Sequence, residues 1–124
     1  MRSPTSTDRA ETRRDPPMHV SNHLTRRHVF TEVSETARED VVRSTVDRLV
    51  EAGTVPAKSV RTIVTGILDR EKLGTTGIGR GIAIPHVKTR VVDEPIVAFV
   101  KLAEPIEYGA TDGAPVHSLF FVIS

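Results

Sequence analysis

Asp69-Arg70-Glu71-Lys72-Leu73-Gly74-Thr75-Thr76-Gly77-Ile78-Gly79-Arg80-Gly81-Ile82-Ala83-Ile84-Pro85-His86 is the stretch on which the fold turns. A charged helix end runs through a glycine-rich turn into a short apolar strand that delivers one histidine. Gly74, Gly77, Gly79 and Gly81 let the backbone take positive φ or approach another group closely. Ile82, Ala83 and Ile84 are apolar enough to be buried, and Pro85, which has no N–H for a ladder, is expected to end the strand. His86 then stands on a rigid element at the mouth of a loop.

Upstream, Ala37, Val41, Val42, Val46, Leu49 and Val50 recur at helical spacing, with Ser34 as the expected N-cap and Gly53 closing the helix. A second helix is expected after Pro56, with Val60, Ile63, Val64, Ile67 and Leu68 on one face and an end near Glu71. His28 to Val33 read as a short strand ahead of both. Downstream, an apolar strand covers Ile96–Leu102, a long connection with turn signals runs from Pro105 to Pro115, and a last strand spans Val116 to Ile123. Leu119-Phe120-Phe121-Val122-Ile123 is apolar on both faces, as in a central strand covered from two sides. The sequence reaches Ser124 directly afterwards, so a covering helix is missing and the domain reads as truncated at its C-terminus. The expected fold is α/β, with α+β the other reading: a mixed sheet flanked by helices on both faces.

Residues 1–23 read as a disordered N-terminal tail. They are rich in Ser, Thr, Asp, Arg and Pro and hold too little apolar surface to offset ordering entropy. Residues 24–124 form the domain. A net charge of +1 makes no case for nucleic acid or an anionic membrane, and Arg13-Arg14 and Arg26-Arg27 lack interleaved aromatics, so they read as solvated charge. With no cysteine, disulfides, thiolate nucleophiles and zinc–thiolate sites are excluded. No apolar run approaches the ~20 residues of a membrane span, and no secretory signal is present, so a cytoplasmic location is expected.

His86 admits two readings, a packed hydrogen-bonded side chain or a reactive imidazole. Its mount at a loop favours the second, since imidazole offers an unprotonated nitrogen at neutral pH as base, ligand or nucleophile. Arg70 is either a helix-end charge or, sixteen residues before His86 and across one loop, a planar fork for phosphate oxygens. The Gly77–Gly81 cluster precedes a strand instead of following one, unlike a dinucleotide fingerprint, and Gly-Lys-Ser/Thr is absent, which excludes a P-loop. Its amides still suit a phosphate-binding nest. His19, His23 and His28 are too loosely spaced, and too far from carboxylates or thiolates, to predict a metal site. His117 reads as structural and Asp112 as a turn residue.

Together, Arg70-Glu71, Thr75-Thr76-Gly77-Ile78-Gly79, Gly81-Ile82-Ala83-Ile84-Pro85-His86, Glu104-Pro105-Ile106 and Asp112-Gly113-Ala114-Pro115-Val116 carry a family resemblance. Residues 28 to 124 resemble the enzyme IIA domain of the fructose/mannitol and nitrogen-regulatory type, part of the bacterial phosphoenolpyruvate-dependent phosphotransferase system. The resemblance implies that His86 accepts a phosphoryl group from a histidine phosphocarrier protein and passes it to a sugar-specific IIB domain. Arg70 would stabilise the phosphoryl group, with Thr76, Gly77, Gly79 and Gly81 forming a phosphate or partner loop. No cofactor or metal is implied, because the donor phosphohistidine is already activated. Two other readings are a regulatory module whose phosphorylation state controls a transporter or kinase, and an inactive truncated remnant. The chain departs from the family pattern at Val87, where glycine is usual. The family's second active-site histidine lies beyond the final strand, and His117 does not match it.

Overall fold

A computed structural model describes residues 28–124. Strand β1 is Val29–Val33 and helix α1 is Arg38–Glu51. A 3-10 turn, Ala57–Ser59, leads into helix α2, Val60–Leu73. Strands β2 (Gly77–Gly79), β3 (Ile82–Ala83), β4 (His86–Val87), β5 (Ile96–Ile106) and β6 (Val116–Ile123) complete the chain. The sheet order is β1-β5-β6-β3-β2, and β4 also pairs with β6.

Strand β6 organises the sheet. On one edge it runs antiparallel to β5, with Phe99 opposite Phe120 and Val100 opposite Leu119. On its other edge it takes two short parallel strands in succession: β3, with Ala83 opposite Leu119, and β4, with His86 opposite Val122. Pro85 falls at the joint between them. It has no N–H to give, but its carbonyl accepts from Val122 at 2.9 Å, so the ladder continues past it. The expected strand end at Pro85 is therefore corrected to a break, and His86 is a strand residue.

Period-two alternation sets the layers. Ile96, Ala98, Val100 and Leu102 of β5 and Leu119, Phe121 and Ile123 of β6 share one core cluster with Val41, Val42, Val46 and Leu49 of α1 and Ile63, Val64 and Ile67 of α2. Both described helices thus lie on one face of the mixed sheet. The opposite face carries Phe99 and Phe120, half-buried and stacked at a tilt with ring centroids 4.9 Å apart. The expectation of helices on both faces is met on one face among the described residues. Expectations placed on residues 1–27, including His19, His23, Arg13-Arg14 and Arg26-Arg27, lie outside the described residues.

Helix α1 starts later than expected. Ala37, not Ser34, is its N-cap, with no side-chain cap bond, and Glu39 and Asp40 in the first turn complement the helix dipole instead. Gly53, at φ 79°, closes it as expected. Strand β5 runs past Leu102 to Ile106 through a register shift, which absorbs the start of the expected loop.

Helix α2 and β4 meet at a point without slack. A Cβ on Gly66 would lie 2.5 Å from Val87 Cγ2, a stiff β-branched group packed on the core. Gly66→Ala should therefore destabilise the fold by about 1–3 kcal/mol, despite alanine's better helix propensity. Adding Val87→Ala should return the loss, and a double-mutant cycle in chemical denaturation reads the coupling. Additive effects would show that the two sites are independent.

Candidate functional site

The last turns of α2 and strand β4 face each other across an open groove of about 610 Å³. Asp69, Arg70 and Leu73 line it from the helix, His86 and Val87 line it from the strand, and Lys88 lines it from just past the strand. Arg70 and His86, paired from sequence, are thus brought to one cavity. Asp69 also pairs with Lys72 at 3.3 Å, an exposed contact of little energetic weight.

The ring of His86 is oriented by the chain just before it. Nδ1 lies 2.9 Å from the carbonyl oxygen of Ile84. A carbonyl only accepts, so Nδ1 carries the proton in this contact and the lone pair of the neutral ring is on Nε2. Arg70 Nη1 donates to the carbonyl of Gly74 at 2.8 Å, closing the helix end and holding the guanidinium at the groove.

Beneath these two residues lies a buried polar cluster. The Glu71 carboxylate accepts from the Thr76 backbone N–H at 3.1 Å, from the Thr76 hydroxyl, and from the Tyr108 hydroxyl at 2.5 Å. Tyr108 is itself fully enclosed, and its burial, with donation to Glu71, pushes the phenol well above its usual range. Arg38 closes the cluster from α1, donating to the Tyr108 carbonyl at 3.1 Å with its guanidinium 5.5 Å from the ring centre.

The glycine-rich turn is a hairpin, β2–β3, seated on residues 108–117. Thr76 is committed to Glu71, and the Gly77 N–H goes to Thr75 Oγ1 at 2.9 Å. A Cβ on Gly77 would come within 2.8 Å of Ala110 Cα, and one on Gly81 within 2.3 Å of the His117 ring. Gly79 faces Asp112, whose carboxylate accepts from the Arg80 and Ala114 N–H groups, each at 3.0 Å. None of Thr76, Gly77, Gly79 and Gly81 lines the groove that holds Arg70 and His86. His117 bonds Ser118 Oγ at 2.7 Å, and His28 bonds Thr54 Oγ1 at 2.7 Å. Among the described residues no group of three or more His, Asp or Glu could hold a metal.

Sequence reasoning gave no role to Glu71, Tyr108 or Gly66. The one local signal was an acidic residue in register with the apolar face Ile63, Val64 and Ile67. Tyr108, thirty-seven residues from Glu71, left no local trace.

A family model described as "Phosphoenolpyruvate-dependent sugar phosphotransferase system, EIIA 2" matches residues 22–124. The chain belongs to this family. Among its relatives is the PTS system fructose-specific EIIA component of Haloferax volcanii, 37% identical over 95 residues, which are 77% of this chain and 60% of that protein. Another is the nitrogen regulatory protein of Pseudomonas aeruginosa, 44% identical over 69 residues, 56% of this chain and 45% of that one. The crystal structure of nitrogen regulatory protein IIA-Ntr from Neisseria meningitidis superposes with a TM-score of 0.73 at 27% identity, covering 84% of this chain and 69% of the other. This EIIA 2 chain therefore spans between about half and two-thirds of the length of these relatives. No helix among its described residues is long and apolar enough to cross a membrane.

The Asp112 latch makes a pH prediction for this EIIA 2 fold. The Arg80 and then the Ala114 N–H hold its carboxyl below the ordinary value of 3.8. With a lowered folded pKa, the latch is complete above 3.8 and weakens as pH falls through the lowered value. The Arg80 amide proton shift should titrate with a midpoint below 3.8. A midpoint at or above it would remove the latch.

Proposed function

We propose that His86 Nε2 accepts a phosphoryl group from the phosphohistidine of a carrier protein and passes it to the cysteine of a sugar-specific IIB domain. The observation that carries this reading is the Nδ1 contact with Ile84, which directs the free lone pair of a neutral imidazole away from the backbone, beside a groove that also holds Arg70. In the transfer, the P–N bond of the donor breaks as the Nε2–P bond forms, and the donor imidazole leaves with the electron pair. Positive charge then builds on the His86 ring, and the Ile84 carbonyl, already accepting from Nδ1–H, offsets it. Arg70 and Lys88 supply the positive charge that meets the equatorial oxygens of a loose transition state. Thr76, Gly77, Gly79 and Gly81 serve this site by turning the chain from α2 into β3. No metal or nucleotide enters the step, because the donor is already activated. The setting would be the cytoplasm.

A regulatory reading shares this chemistry and differs in its output. The 44% identity to the Pseudomonas nitrogen regulatory protein favours it over the stretch concerned. In that case phosphorylation of His86 would set the binding of a transporter or kinase, and no IIB cysteine would be needed.

Incubation with phosphoenolpyruvate, enzyme I and the histidine carrier should add one acid-labile, alkali-stable phosphoryl group by intact mass. His86→Ala should gain none. If that variant is still phosphorylated, His86 is not the acceptor. Transfer onward to an isolated IIB domain separates the transport reading from the regulatory one. Arg70→Lys keeps the charge but loses the fork, and should slow phosphorylation about ten-fold or more, the scale of ~1.4 kcal/mol. Unchanged kinetics would leave Arg70 as a helix cap.

A further inference from the structure

We propose that Glu71 is a positioning residue that fixes the orientation of the His86 ring through a buried relay of hydrogen bonds. The proposal rests on the reading of His86 as phosphoryl acceptor and adds a residue that touches neither phosphoryl group nor partner.

The relay can be followed atom by atom. Tyr108 and the Thr76 hydroxyl donate to Glu71, and the Thr76 backbone N–H donates to Glu71 Oε1 at 3.1 Å. Thr76 is thereby held at two points by one carboxylate. Its carbonyl oxygen accepts from the Ile84 N–H at 2.9 Å. The Ile84 carbonyl accepts from His86 Nδ1 at 2.9 Å. Glu71 stands beside Arg70 in the last turn of α2, so one buried side chain ties the helix turn that carries the arginine to the strand that carries the histidine.

The chemistry of the cluster says what this arrangement does. Every contact on the carboxylate is a donated hydrogen bond from a buried residue, and removing the acceptor would leave a buried N–H unsatisfied. Thr76 would then turn to find another partner, and the Ile84 N–H bond would loosen with it. The Ile84 carbonyl would no longer be aimed at Nδ1, and the ring would redistribute between its two neutral tautomers. Only the Nδ1–H tautomer offers Nε2 as nucleophile.

The test reads the tautomer directly, in ¹⁵N-labelled full chain by long-range ¹H–¹⁵N correlation at a pH where the ring is neutral. The unaltered protein should show His86 as the Nδ1–H form. Glu71→Leu removes every acceptor and should lower the ratio of Nδ1–H to Nε2–H form about ten-fold, with the turnover of phosphorylation falling in proportion to the Nδ1–H population and the KM for the carrier staying within about two-fold. Glu71→Gln should retain the ratio, because its carbonyl still accepts from the Thr76 N–H while its amide donates to the two hydroxyl oxygens. A merely structural glutamate would lower the melting temperature of Glu71→Leu and leave the tautomer where it was, and that result overturns the proposal. If Glu71→Leu does not fold, Thr76→Val decides, since it keeps the shape of the side chain and removes the hydroxyl, one of the two points at which Glu71 holds Thr76. A shifted ratio there supports the relay and an unchanged one overturns it. A shifted tautomer in a protein that the carrier never phosphorylates would overturn the acceptor reading while leaving the control of the ring by Glu71 in place.

Discussion

Strand β6 is a shared hydrogen-bonding partner, and its two edges constrain everything else in the molecule. One edge is occupied by β5 over nearly its whole length, and the other is divided between β3 and β4. Two short strands cannot hold a position by themselves, since a pair of residues fixes too few contacts against the entropy of ordering them. Their place is dictated by the β6 backbone, and at Pro85, which has no N–H to give, the ladder continues through the carbonyl. His86 is thus fixed by a strand thirty residues further along the chain, and the approach of β4 to α2 follows from that.

The second constraint is the contact between that strand and the helix. Gly66 presents bare backbone where Val87 arrives, so β4 lies against α2 with no intervening side chain on the helix. The groove that holds Arg70 and His86 lies at that contact, since Gly66 and Val87 line it too. Val87 is accommodated by a glycine on the opposite element. Underneath, the Glu71 carboxylate gathers donors from Thr76 and Tyr108 and joins the helix end to the chain entering β3. Polar clusters of this kind specify geometry more than they add stability, because their gain over solvation is small while a missing partner is penalised.

Much of the fold was legible because its signals are periodic. Val41, Val42, Val46 and Leu49 and, in α2, Ile63, Val64 and Ile67 recur as a helix face requires, and all are buried on the same side of the sheet. Strand β6 reads as a strand because β-branched and aromatic residues run through it without a breaker. Where signals were short or shared they misled. Ser34 has the chemistry of a cap, but the chain needs three further residues to cross from β1 to α1, and Ala37 takes the position. Strands β2 and β4, of three and two residues, are too brief for any alternation to register.

The sequence by itself determined the family and singled out the residues proposed for the chemistry, because a histidine after Gly81-Ile82-Ala83-Ile84-Pro85 and an arginine at a helix end are local facts, written within one short stretch. It also determined which helix faces would be buried, since apolar spacing follows the backbone period, whereas Ile82 and Ile84, expected to be buried, are half-buried. The tertiary structure alone decided what those residues face. The glycines of the turn serve close packing against Ala110 and His117 and stand apart from the groove. Glu71 is buried under donors from Thr76 and from Tyr108, and the His86 ring is turned by the Ile84 carbonyl. Those relations depend on distances between atoms far apart in the chain, and such distances are set by packing and closure of the sheet, which no local pattern encodes.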